Sequence, residues 1–501
     1  MKTIKIKYFL VAVSILTLGA CTKDFLELQP KGQFLSGNFY KNETECTGAL
    51  VGVYDQIRKN TAGYENLVAM MNAGSDDQYS GGGDSNDGAG IHAFSSHSLT
   101  STKIPPSFWN DHFQGIYRAN VLISKLPAAT MSDALKSRFV AECKTLRAIY
   151  YFNLVRMFKN VPLFTEPVAP DNMYDVLQAA PTAVYAQIEK DLNDAIPNLP
   201  TTLDAVTESG RLTKGAAQAM LGKVYLFDGK KTEAAAVLAQ VNGTPGQPNQ
   251  YGNKLLTNYS DLWIVSNKFN SESLLEVSHS NQKNAWWGIN WGGQDEGNAL
   301  NVMVGVRGYN RKDSSAPDLA PGWSFNIFTQ DLYDFMKNDP RFGATIMDLK
   351  ALETARKIEY SHGDQDTGYY LNKYLPRKAD INSGGGNWEL NFRQNSYIIR
   401  LADTYLMEAE ALGSGARAQA LLDAVRARVG LPSVPVTLAA IKDERRKEFA
   451  GEGLRFFDLV RWGDAAVKLA NRGFVAGKDE IFPIPQVELQ GTKLVQNPGF
   501  N

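Results

Sequence analysis

Between Gly215 and Val241 the chain reads AAQAMLGKVYLFDGKKTEAAAVLAQV, and this stretch narrows the possible architectures more than any other. Small residues recur on the first half, a second alanine-rich half follows, and Gly229 separates them. Two helices of this kind pack closely only if Gly222 and the alanines admit the neighbour, if Tyr225 fills the space between the pair, and if Gly229 turns the chain back. Such a pair cannot bury its outer face alone. Further helical pairs must therefore stack on it.

The arrangement resembles a tetratricopeptide repeat, although the period of about 34 residues is not maintained along the chain. Helical spacing of apolar residues supports more such elements. Residues 38–59 place Phe39, Cys46, Leu50, Val53, Tyr54 and Ile57 on roughly one face, and Trp109, Phe113, Ile116, Tyr117 and Ile123 mark a second helix ending before Pro127. Asn120 falls on that stripe, where a buried amide needs hydrogen-bond partners. Residues 135–159 predict a long, aromatic third helix, and residues 398–412 with 416–429 predict another pair. The expected fold is mainly α, a tetratricopeptide-like helical-pair scaffold built from residues 38–60, 107–245 and 397–470. Two regions interrupt it. Residues 61–106 contain GSDDQYSGGGDSNDGAG, and residues 247–395 are rich in Gly, Asn and Trp without sustained helical period, so both are expected as irregular loops forming a ligand face. With 44% hydrophobic and 21% charged residues, 38–501 is expected to form a single globular domain.

The first residues carry Lys2, Lys5 and Lys7, then an apolar run, then Leu18-Gly19-Ala20-Cys21. That order predicts a secretory signal peptide over residues 1–20, with Cys21 as a lipidated N-terminus in the manner of a bacterial lipobox. Residues 21–37 would form the tether above a membrane. Export permits a disulfide, so Cys46 and Cys143 are either bridged or buried free thiols. Net charge is −1, and loss of the leader lysines makes the remainder more acidic, which gives no electrostatic case for nucleic acid.

Near the C-terminus, IKDERRKEFAGEGLRFFDLVRWGD followed by EIFPIPQVELQGTKLVQNPGFN resembles the signature of the SusD/RagB family, as does RLADTYLMEAEAL upstream. FWNDHFQGIYRANVLISKLP and the lipobox extend the resemblance over residues 21–501. The resemblance implies an outer-membrane, surface-exposed nutrient-binding lipoprotein without catalysis, associated with a SusC-like TonB-dependent transporter. Lys23-Asp24 and Glu27 are similar to surface-export signals of such lipoproteins. Taken as residues alone, Glu444, Arg445, Glu448, Arg455, Asp458 and Arg461 have spacings suited to ion pairs between turns and helices, and Pro483, Pro485 and Pro498 suit an extended tail.

A glycan site needs aromatic platforms for the C–H faces of sugar rings and polar groups for the hydroxyls. The segment AWWGINWGGQDEGNALN offers Trp286, Trp287, Trp291, Asn290 and Asp295, and Trp323 and Arg307 lie farther along the same region. Asp76, Asp77 and Tyr79 are candidates for its polar side, where the family contributes contacts, although no tryptophan lies between Asp76 and Ser107. No cofactor or metal is expected: His92, His97, His112, His279 and His362 lack paired metal spacing, Asp76 to Asp87 does not fit an EF-hand, and Gly229-Lys230-Lys231-Thr232 lacks the spacing of a phosphate loop. The competing readings are peptide or glycopeptide uptake of the RagB kind, a protein-binding surface role, and a glycosidase pairing Asp76 or Asp77 with Asp295 or Glu296.

Overall fold

A computed structural model describes residues 39–169, 174–281, 296–381 and 386–500. Cys21, the leader and the tether lie outside the described residues. The helices used below are α1 (Glu43–Tyr54), α2 (Leu67–Ala73), α3 (Ala89–Ser95), α4 (Ser107–Lys125), α5 (Asp133–Phe158), α6 (Pro181–Ala195), α7 (Lys214–Phe227), α8 (Lys231–Asn242), α9 (Ala299–Val304), α10 (Leu401–Leu412), α11 (Ala416–Arg428), α12 (Leu438–Phe449) and α13 (Arg455–Trp462). Packing runs in an almost unbroken series: α1 on α4, α4 on α5, α5 on α6, α6 on α7, α7 on α8, α8 on α10, and α10 on α11 and α12. This is the expected mainly α stack of helical pairs. No helix among the described residues is long and apolar enough to cross a membrane.

Local chemistry sets the ends of these helices. Ser132 accepts from Leu135 N–H at the start of α5, and Thr213 and Thr437 do the same for Ala216 and Ala440 at α7 and α12. In α7, a Cβ placed on Gly222 would fall on Leu238 of α8, so only glycine admits that neighbour. Gly229 has φ +77° and reverses the chain as its position predicts. Tyr225 differs from expectation: its hydroxyl accepts from Asn193 of α6 at 3.3 Å and Lys230 lies over its ring, so it faces the preceding pair.

Buried polar groups are satisfied across helices. Asn120 donates to the Phe164 and Glu166 carbonyls at 3.1 and 3.2 Å and accepts from Arg147 at 2.5 Å, and Arg147 forms a two-pronged pair with Asp191. Cys46 and Cys143 are buried free thiols. The C-terminal tail is tied down where Phe482 N–H donates to Met157 O at 2.7 Å and Asn497 Nδ2 donates to Phe158 O at 3.0 Å.

Strands are short and paired in twos. β1 (Gln78–Gly81) pairs antiparallel with β3 (Phe325–Phe328), and β2 (Ser273–Val277) pairs antiparallel with β4 (Ser396–Arg400), which leads directly into α10. The two loop regions are thus more ordered than their composition predicts. Residues 61–106 contain α2, β1 and α3, and the segment around Val306, Leu319, Ile327 and Tyr370 has its own small apolar core.

A web of buried charges joins this loop-rich half to the helices. Glu448 of α12 accepts from Arg400 at 2.6 Å, from Arg341 at 2.8 Å and from Arg428, and its backbone oxygen accepts from Lys373 Nζ at 2.9 Å. Arg400 also binds Glu272 and Glu452. Burial alone would raise the Glu448 pKa, but Arg428, Arg400 and Arg341 outweigh it and hold the carboxyl well below its ordinary range. Asp403, between Lys223 and Arg445, is depressed in the same way against its burial.

Two outcomes follow. Gly222→Ala is expected to cost about 1–3 kcal/mol through overpacking against Leu238, read as a lower urea midpoint at unchanged m. Because Glu448 and Asp403 have folded pKa values below their unfolded ones, their contribution is complete above the unfolded carboxylate range of about 4 and disappears as pH falls through the folded values. Thermal melts should therefore show stability falling steeply below about pH 4, with a shallower acid slope in Glu448→Gln. An unchanged slope in that variant would show that the web does not govern acid unfolding.

Candidate functional site

The glycine-rich stretch after β1 builds one wall of a half-buried cluster. Gly82 and Gly88 have φ +97° and +80°, and a Cβ on Gly88 would collide with the Tyr64 hydroxyl. The chain therefore curls over Tyr64, whose ring lies 5.6 Å from Phe325 and 6.2 Å from Trp323. Burial raises the Tyr64 pKa first, and the nearby Asp87 charge adds to it, so the phenol stays protonated.

The opposite wall comes from the turn before β3. Gly322, Trp323 and Ser324 donate backbone N–H groups to Val306, Val302 and Gly305 at 3.1, 2.9 and 2.7 Å, pinning Trp323 to the end of α9. Ser324 and Asn326 adopt φ +60° and +58°, a left-handed conformation costly for side-chain-bearing residues. Asn326 is held there by a 2.9 Å bond from its amide to Ala69 O, and Ser324 Oγ accepts from Arg307 N–H at 3.0 Å.

Arg307 closes the cluster. Its Nη2 donates to Asp87 Oδ2 at 2.6 Å and to Trp323 O at 3.2 Å, and Asp87 also accepts Gly83 N–H at 2.7 Å. Arg307 Nε is buried with no acceptor in the protein, while the side chain as a whole is 39% exposed. Trp323 also packs on a small apolar group of Val302, Ala320 and Phe392 that Trp388 covers from another segment. Together these residues present aromatic surface beside a guanidinium, a carboxylate and a phenol. Such a surface can stack on a ring and exchange hydrogen bonds with hydroxyls.

The candidates named from sequence divide three ways. Arg307 and Trp323 meet in this cluster. Trp286, Trp287, Asn290, Trp291 and Asp295 lie outside the described residues, but the flanks of their segment are anchored close to Tyr64. Ser280 N–H donates to Glu296 O at 2.9 Å, Ala299 N–H donates to Thr61 O at 3.1 Å, and buried His279 bonds Thr61 Oγ1 at 2.8 Å. Burial takes the His279 pKa down to about 4, so the ring is neutral.

Asp76, Asp77 and Tyr79 are not part of this cluster, and the expectation that Asp76 and Asp77 offer the polar side of a glycan site is corrected, because both carboxylates are committed to arginines. Asp76 receives both Nε and Nη2 of Arg455 at 2.8 Å, and Asp77, only 2% exposed, accepts from Arg446 at 2.7 Å. They join the first loop to α12 and α13. Tyr79 lies under the Arg472 guanidinium at 4.3 Å. Tyr64, Asp87 and Trp388 were not singled out from sequence. The Gly63-Tyr64 step and the GGGD run were visible, yet nothing local says that they meet. Among the described residues no group of three His, Cys, Asp or Glu side chains could hold a metal ion.

Comparisons with known proteins bear on this arrangement. Residues 278–479 match the SusD family model, and residues 24–226 match a second model described as starch-binding associating with outer membrane. A SusD-like protein of Bacteroides ovatus is 27% identical over 482 residues, covering 91% of this chain and 82% of its own. Among solved structures, a laminarin binding SusD-like protein is 61% identical with TM-score 0.91, covering 92% of this chain and all of its own. A surface glycan-binding protein A from Bacteroides thetaiotaomicron in complex with laminarihexaose is 25% identical with TM-score 0.79, over 91% of this chain and 100% of that one.

The Arg307–Asp87 pair is more than one-third exposed on both sides, so Arg307→Ala should change global stability by no more than about 1 kcal/mol. Amide exchange across residues 82–88 should rise nonetheless. Unchanged exchange there would mean that the pair does not hold the loop.

Proposed function

Since this chain belongs to the SusD/RagB family, we propose that it is a surface glycan-binding lipoprotein, anchored through Cys21, that captures a laminarin-type glucan for a partner TonB-dependent outer-membrane transporter. Family membership sets it among carbohydrate-binding proteins rather than enzymes. The observation that carries the choice of ligand is the 61% identity, over 92% of the chain, to a laminarin binding relative. The cluster of Tyr64, Trp323, Asp87 and Arg307 supplies matching chemistry: two aromatic faces, and an Arg307 Nε donor without a protein partner.

In the proposed mechanism, sugar rings stack on Trp323 and Tyr64 while Arg307 and Asp87 read ring hydroxyls. Trp286, Trp287 and Trp291, with Asn290 and Asp295, are proposed as further ligand contacts on their residue types alone. A half-exposed platform leaves much of a ligand in water, so affinity is modest, as handover to a transporter requires. Lipid on Cys21 contributes about 0.8 kcal/mol per buried methylene, enough with several chains to keep the protein at the membrane. Transfer to the transporter follows from the family pattern and calls for co-purification from outer membranes.

Calorimetric titration of the chain from Thr22 onward with laminarihexaose tests the reading. Binding is expected, and Trp323→Ala and Tyr64→Ala should each weaken it about tenfold, or about 1.4 kcal/mol, with circular dichroism unchanged. Absence of binding to this and other saccharides, with heat from peptides instead, would replace the glycan by a peptide ligand.

A further inference from the structure

A second cavity, of about 500 Å³, opens on the loop-rich half and is lined by none of Tyr64, Asp87, Arg307 or Trp323. Its size falls within the roughly 300–1,000 Å³ of small-molecule sites. Trp263 forms one wall, packed edge to face on Tyr374 and Tyr397 at 5.7 and 5.8 Å, and Arg377 forms another. We propose that this cavity is a separate binding site for an oxyanion carried on a sugar, either a uronic acid carboxylate or a sulfate ester.

The argument rests on donors and charge. Arg377 Nη2 donates to Asn372 Oδ1 at 2.6 Å, but its Nη1 is buried with no acceptor in the protein. Trp263 Nε1, on the same cavity, is likewise buried without one. Buried donors in folded proteins nearly always have partners, so two on one cavity mark a place that receives acceptors from outside the chain.

Charge points the same way. Arginines elsewhere in this fold are mostly committed to carboxylates, as Arg400, Arg428, Arg445 and Arg455 are. Arg377 is bonded only to an amide, and Arg393, on the rim, is exposed and forms no ion pair among the described residues. Lys373 is already neutralised by Glu452 at 2.7 Å. Asp380 is the opposing carboxylate on the wall; it forms no ion pair with either arginine among the described residues, and burial raises its pKa while the charges of Arg393 and Arg377 act against that, so it offsets one of the two arginines. The cavity thus keeps one excess positive charge, with two guanidinium forks of the geometry that receives carboxylate or sulfate. The apolar face of Trp263 and the half-exposed Ile264 suit the ring that carries the anion.

The cavity is tied to the first site through α9. Asn301 donates to Gln394 Oε1 on the cavity wall at 2.7 Å, while the next residue, Val302, accepts Trp323 N–H. Its ligand chemistry is nevertheless independent of the glucan reading.

Calorimetric titration of the full chain at low ionic strength with sodium glucuronate, sodium sulfate and methyl glucoside decides the matter, repeated on Arg377→Gln and Arg393→Gln. Millimolar binding of one or both anions, none of the neutral sugar, and weakening of about tenfold in each variant are expected. Glucuronate alone identifies a uronic acid site, sulfate alone a sulfate-ester site, and both a site that reads the charge. Equal binding of the neutral sugar, no heat from either anion at tens of millimolar, or binding unchanged in both variants would overturn the proposal. If Arg377→Gln does not fold, the exposed Arg393→Gln carries the test.

Discussion

The loop-rich half of the molecule is joined to the helices through one carboxylate above all, that of Glu448. Its side chain gathers Arg341, Arg400 and Arg428, and its backbone oxygen gathers Lys373 and Tyr259, all of them buried. Those partners come from five segments that share no helix with it. Such a web is not a large source of net stability, because desolvation offsets much of the attraction. What it supplies is specificity: removing any one member leaves charges buried without partners, so the segments have one low-energy way to meet.

The web also explains how an irregular face is held rigid. β4 enters α10 at Arg400, so the strand that pairs with β2 is fixed at the same point as the helix that packs on α8. On the other side, Asp76 and Asp77 reach Arg455 and Arg446 of α13 and α12, which fixes the first loop relative to the same helices. With both loops anchored to one helical body, Tyr64 and Trp323 face each other without a continuous element between them. A preorganised platform of this kind spares a weak ligand the cost of ordering its site.

Several features were legible from residue order. The Gly222 and alanine pattern predicted close helix packing, and Leu238 sits where a Cβ on Gly222 would be. The stripe through Asn120 predicted a satisfied buried amide, which Arg147 and two carbonyls provide. Reading the acidic run as ligand surface failed for Asp76 and Asp77, since an aspartate in a glycine-rich stretch looks alike whether it faces a hydroxyl or an arginine hundreds of residues away. Tyr64 escaped notice for the same reason, because its partners come from around residues 87 and 323.

The sequence by itself determined the helical stack and the family signature. Both are written in short-range patterns, where period, caps, glycine positions and charge spacing act over a few residues. Only the tertiary structure decided which arginines are committed to carboxylates and which, like Arg377, keep a donor without a partner. It also decided which aromatic residues stand together at a half-open surface. Those outcomes depend on contacts between segments far apart in the chain, and the energy of a buried charge or ring depends on what surrounds it rather than on what precedes it.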